Sequence, residues 1–108
     1  MNTVQLIGRT VEDINLSRNN DLKIGKLRLA VQRQVKKKGS GQQDVDFIPC
    51  TALGKTADFL EKYVGKGQQI GVVGKLRINR YEKDGMTKTS TEVIVNEVYF
   101  AGEKKNLG

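Results

Sequence analysis

Along most of this chain apolar and polar side chains alternate one by one, and the pattern changes only between Thr56 and Val64. A period of two is the mark of a strand with one buried face, and it restricts the chain to a mostly β fold. Val4 and Leu6 alternate in a first strand over about 3–11, and Ile14 and Leu16 extend the pattern beyond Glu12 and Asp13. A second strand, about 22–34, holds Leu22 and Ile24 in one phase and Leu27, Leu29 and Val31 in the other. A one-residue slip at Gly25 accounts for this, and a glycine bulge there would bend the strand as a small barrel needs. A third strand, about 44–53, sets Ile48, Cys50 and Ala52 against Phe47, Pro49, Thr51 and Leu53. Pro49 marks an unpaired or bulged position within it.

Where the period changes, Ala57, Leu60 and Val64 form one helical stripe and Phe59 stands four residues from Tyr63. Gly65 and Gly67 can end that helix. The fourth strand, about 69–81, puts Ile70, Val72, Leu76 and Ile78 on one face and Lys75, Arg77, Asn79 and Tyr81 on the other. Asp84-Gly85 is a hairpin turn signal, leading to a fifth strand over about 87–100. Three strands, a helix and two strands is the element order of an oligonucleotide/oligosaccharide-binding (OB) fold. The expected class is all-β with one helix, a five-stranded OB-fold barrel. The 108 residues suit one domain, over 1–101, followed by a short polar tail at 102–108.

The charge points to the partner. Nineteen Lys and Arg stand against 12 Asp and Glu, a formal net charge of +7. Such an excess suits a polyanion. No apolar stretch approaches the ~20 residues that span a bilayer, and no basic amphipathic helix is visible, so no membrane partner is expected. The start, Met1-Asn2-Thr3-Val4, does not read as a signal peptide, and the single Cys50 cannot form an internal disulfide. Both fit the cytoplasm.

Single strands are held by basic grooves and by aromatic rings on which unstacked bases lie. Tyr81 shares its face with Lys75 and Arg77, and Phe47 lies opposite the aliphatic phase of its strand. Leu53 has the parity of Phe47 and can supply an apolar contact. The plainer readings stay open: Phe47 also fits a second small core, and Tyr81 a half-buried strand tyrosine. Lys36, Lys37 and Lys38 open a Gly- and Ser-containing loop that, with Arg33 beside it, can reach around a strand of DNA. The bland alternative is a solvated loop.

Several segments resemble the bacterial-type single-stranded DNA-binding (SSB) proteins. They are the stretch from Met1 to Arg9, Leu29-Ala30-Val31-Gln32-Arg33, Asp46-Phe47-Ile48, Gly54-Lys55-Thr56-Ala57, Lys66-Gly67, Val73-Gly74-Lys75-Leu76-Arg77 and Thr91-Glu92-Val93. The resemblance implies an OB-fold homotetramer that binds single-stranded DNA with little sequence preference, in replication, recombination and repair near the nucleoid. It places Phe47 and Tyr81 at base-stacking positions and Lys55, Lys66 and Arg77 at basic positions near the DNA path. Leu53 and Val35 stand where the family is often aromatic, which implies fewer stacking platforms. The family's acidic tip has no counterpart at Glu103 to Gly108, which argues against recruitment of replication and repair proteins through it.

An enzyme finds little support. There is no histidine, the commonest general base, and one cysteine cannot build a zinc site. Gly54-Lys55-Thr56 resembles the end of a phosphate-binding loop, but Pro49 stands where that motif needs glycine. Asp44 and Asp46 could hold a nuclease metal, though solvated hairpin carboxylates are the simpler reading. No cofactor is expected. An OB protein serving only in assembly, or one that binds RNA, remains compatible with the same faces.

Overall fold

The computed structural model describes residues 1–36 and 43–102. Six strands and one helix follow in chain order: β1 (Val4–Thr10), β2 (Asn15–Asn19), β3 (Leu22–Lys36), β4 (Gln43–Leu53), α1 (Lys55–Tyr63), β5 (Gln69–Lys83) and β6 (Met86–Phe100). The strand order β1-β5-β6-β4-β3-β2, with a further pairing of β1 to β3, brings the sheet back on itself. Closure rests on Arg9 opposite Ala30 and Thr10 opposite Leu29. The β4–β6 contact is parallel and short, Cys50 to Ala52 against Val93 to Val95. This is the expected mostly β architecture with one helix.

The interior is aliphatic. Leu27, Leu29, Cys50, Ala52, Ile70, Val72, Val93 and Val95 from the strands meet Ala57, Leu60 and Val64 from the helical segment. The helical stripe read from sequence is therefore the face that packs against the barrel. Lys23 ties the exposed side of α1 to β3: its Nζ donates to Asp58 at 2.8 Å and also to Glu61. The Lys23 ammonium accordingly holds the Asp58 carboxyl below the ordinary carboxylate range. Below the helix, Thr10 and Gln68 close the turn into β5. The Thr10 hydroxyl donates to the Gly65 carbonyl at 2.6 Å and accepts from the Gln68 amide at 3.2 Å.

Three sequence expectations need correction. The pattern at Ile14 and Leu16 belongs to a separate strand, β2, which pairs with β3 across a turn where Asn20 has φ 57°. No bulge occurs at Gly25: the register runs through it on both sides, to Leu16 and to Ala52. Leu22 and Ile24 simply lie on the outer face, and Gly25 faces inward in a tight spot, where a Cβ would stand 3.2 Å from the Ile14 side chain and 3.4 Å from Ala57. The register shifts fall instead between Gln32 and Lys36 and between Val73 and Gly74. Leu76 and Ile78 share the parity of Ile70 and Val72, yet they are 43% and 57% exposed. The β5–β6 hairpin runs beyond the other strands, so its inward face has nothing to cover it.

Two details of strand and helix ends also differ. Pro49 pairs in register with Arg28, without a bulge, just before β6 joins β4. The helix ends at Val64 in extended backbone rather than at a left-handed glycine. The Asp84-Gly85 turn is as expected, with φ 54° and 74°, the two positive values that a tight hairpin needs.

Candidate nucleic-acid interface

Residues opposite each other on paired strands point to the same side of a sheet. One ladder crosses four strands: Lys75 on β5, Ile94 on β6, Thr51 on β4 and Lys26 on β3. It defines an outer face, opposite the core. Along β4 this face carries Val45, Phe47, Pro49, Thr51 and Leu53; along β3 it carries Lys26, Arg28, Ala30 and Gln32. Along β5 it carries Lys75, Arg77, Asn79 and Tyr81. The topology thus unites residues more than thirty positions apart in sequence on one surface.

The rings on it are open. Phe47 is 58% exposed and Tyr81 46%. Leu53 is exposed beside Ile24, its partner on β3. Lys75 and Arg77 are exposed between the core strands and Tyr81. Arg77 lies opposite Glu92, whose carboxylate accepts from the Asn79 amide at 3.2 Å. Beneath the face Cys50 is buried, and burial pushes its thiol up to about 12, with Glu92 adding to the shift. A thiol so placed stays protonated at neutral pH and is no nucleophile.

Other residues singled out from sequence lie elsewhere. Arg33 was expected beside the DNA path; it sits in the opposite phase from Phe47 and binds Asp46 with both Nε, at 3.1 Å, and Nη2, at 2.8 Å. That hydrogen bonding holds the Asp46 carboxyl below its usual range. Asp44 lies 3.9 Å from the same guanidinium, so the two hairpin carboxylates are partners of Arg33. Lys55, the first residue of α1, lines a shallow cleft with Phe59, Glu97 and Tyr99, away from the ladder. Lys66 is exposed in the turn after α1, where Arg9 donates to the Gly67 carbonyl at 3.1 Å. Val35 and Lys36 are the last two residues of the β3 backbone, and Lys37 and Lys38 lie outside the described residues.

Sequence reading passed over Lys26 and Arg28. Their signal was present, since both alternate with Leu27 and Leu29 and share the phase of Ala30, the partner of Phe47. Lys88, opposite Tyr81, and Met86, opposite Lys83, extend the same face to the hairpin tip. Among the described residues no three His, Cys, Asp or Glu side chains gather as a metal site, and no helix is long and apolar enough to cross a membrane.

Known proteins resemble this chain in sequence and in fold. The chain is 33% identical over 104 residues to a single-stranded DNA-binding protein of Staphylococcus epidermidis, covering 96% of this chain and 79% of that one. It is 38% identical over 111 residues to single-stranded DNA-binding protein 1 of Clostridium acetobutylicum, covering 97% of each. In fold it is similar to the solved Plasmodium falciparum SSB complex with ssDNA, with a TM-score of 0.83 at 21% identity, over 94% of this chain and 96% of that one. The family model for the single-strand binding protein family matches residues 1–101. With that match over nearly all of its length, the chain belongs to the single-strand binding protein family.

Proposed function

We propose that this protein binds single-stranded DNA, largely without sequence preference, and protects and organises it in replication, recombination and repair. The observation that carries this is the outer face: Phe47, Leu53 and Tyr81 lie open on one surface with Lys26, Arg28, Lys75 and Arg77. Bases inside a duplex are already stacked and offer their faces to no protein ring, whereas a single strand does. The cations meet phosphates, which carry no sequence information. The protein acts without catalysis or cofactor, in the cytoplasm near the nucleoid. Lys55 and Lys66 carry the strand around the barrel, and Val35, Lys36, Lys37 and Lys38 are proposed as further contacts on their sequence alone. Arg33 contributes only where a phosphate displaces Asp46. Titration with an oligothymidylate beside a duplex of equal length tests the reading. Tighter single-strand binding at moderate salt is expected; equal affinity for the duplex would overturn it.

The acting form is a homotetramer. Support comes from a second face: Ile7 on β1, Gly71 on β5 and Tyr99 on β6 form one ladder, with Ile7 60% and Tyr99 54% exposed. Beside it, β1 pairs with β5 along one side and with β3 only at Arg9 and Thr10, so its other side over 4–7 has no strand partner among the described residues. A four-chain assembly of dihedral symmetry needs more than one self-complementary contact, and an open edge plus an apolar face supply two. Sedimentation at micromolar concentration is expected to give about four times the 12.0 kDa chain mass. Ile7→Glu should lower that mass, because it buries an unpaired charge. A wild-type monomer would refute the tetramer.

A further inference from the structure

The outer face is not uniformly basic. Arg28 lies on it, two residues from Ala30, the partner of Phe47. Its Nε donates to Oε1 of Glu12 at 3.1 Å. Glu12 comes from the link between β1 and β2, and both side chains are about half exposed, 51% for Arg28 and 55% for Glu12. The two line a shallow cleft with Asn15, Lys26, Thr51 and Glu92. Glu92 is the cross-strand partner of Arg77, so the cleft reaches from Arg28 and Pro49 on β3 and β4 towards Arg77 on β5, next to the stretch of the face that carries Phe47 and Tyr81. A single strand that continues past Phe47 along the outer face comes to Arg28.

We propose that Arg28 is a phosphate contact and that Glu12 is its built-in competitor, so that binding exchanges a carboxylate for a DNA phosphate. This rests on the single-strand-binding reading above. A guanidinium presents five donors in a planar fork that suits carboxylate and phosphate alike. Glu12 takes only the Nε–H among the described residues, which leaves the terminal amino groups open to a second acceptor. An ion pair this exposed contributes little by itself, so a phosphate can displace it. Arg33 makes the contrast: it is held by two oxygens of Asp46 with Asp44 close by, and exchange there is harder. Glu12 therefore lowers affinity without blocking the site, which favours release and rebinding of a strand that other proteins must reach.

The test compares wild type, Glu12→Gln, Arg28→Gln and the double variant by titration with an oligothymidylate at several salt concentrations. Asp13→Asn controls for the loss of one negative charge in the same link, since Asp13 has no ion-pair partner among the described residues. Glu12→Gln is expected to tighten binding by roughly two- to fivefold at low salt, beyond any gain from Asp13→Asn. Arg28→Gln should weaken binding and make the log–log salt slope shallower by about 0.7, one phosphate contact on a single strand. In the Arg28→Gln background, Glu12→Gln should give no more than the control. A gain equal to that of Asp13→Asn, or one that persists without Arg28, would overturn the exchange. So would an Arg28→Gln salt plot identical to wild type. Failure of the wild type itself to bind single strands is a different result, and it would overturn the functional reading first.

Discussion

Phe47→Ala and Tyr81→Ala are each expected to weaken single-strand binding by about 1–3 kcal/mol, or roughly five- to 150-fold. Each ring gives a base a flat apolar surface to replace the neighbour it loses when the strand is held open. Both rings are largely exposed in the free protein, so their loss opens no cavity and should leave the thermal melting temperature nearly unchanged. The slope of affinity with salt should also stay the same, because neither ring meets a phosphate. The pair therefore separates stacking from charge: the aromatic variants shift the salt plot in parallel, whereas Arg77→Ala or Lys75→Ala makes it shallower. Emission from Tyr81 should be quenched when DNA is added to the wild type; the chain has no tryptophan to obscure it. Wild-type affinity in both aromatic variants would mean that the rings do not stack bases.

A second large effect is expected in the core. Leu60→Ala should destabilise the fold by about 2–5 kcal/mol. Leu60 has no exposure and stands in the middle of the stripe by which α1 packs on the barrel. Its removal leaves a void that the strands cannot fill, because they are fixed by closure of β1 on β3. Tyr63→Ala on the same helix makes the comparison: Tyr63 is 53% exposed and touches Phe59 with ring centroids 5.1 Å apart, so its loss should cost far less. Denaturant unfolding monitored by circular dichroism measures both. Equal costs would mean that the helix is not anchored through the stripe containing Leu60.

The sequence was most legible where a single physical rule operated. Period two located the long strands, and the change of period located α1, because both follow directly from which side chains need burial. Reading failed where burial depended on distant neighbours. Leu76 and Ile78 follow the core phase of β5 but extend past the strands that could cover them. Leu22 and Ile24 looked like the far side of a bulge because apolar residues were presumed to face inward, whereas Ile24 pairs with Leu53 on the outer face. The site was partly legible for the same reason. Parity put Phe47 and Tyr81 on polar faces of their own strands, but only the strand order shows that the two faces are one. The binding of Arg33 by Asp46 joins two strands across their hairpin, and no spacing along the chain reveals it. Arg28 needed the register of β3 against β4, which sets it beside Phe47.

The most direct test is to map the contact by NMR, following backbone amides as an oligothymidylate is added at low salt. The largest shifts are expected on the outer face: around Lys26 to Gln32 on β3, Val45 to Leu53 on β4, and Lys75 to Tyr81 on β5 with their β6 partners. Shifts confined to the Ile7–Gly71–Tyr99 face or to the exposed side of α1, with Phe47 and Tyr81 undisturbed, would show that DNA binds elsewhere and contradict the outer face as the binding surface.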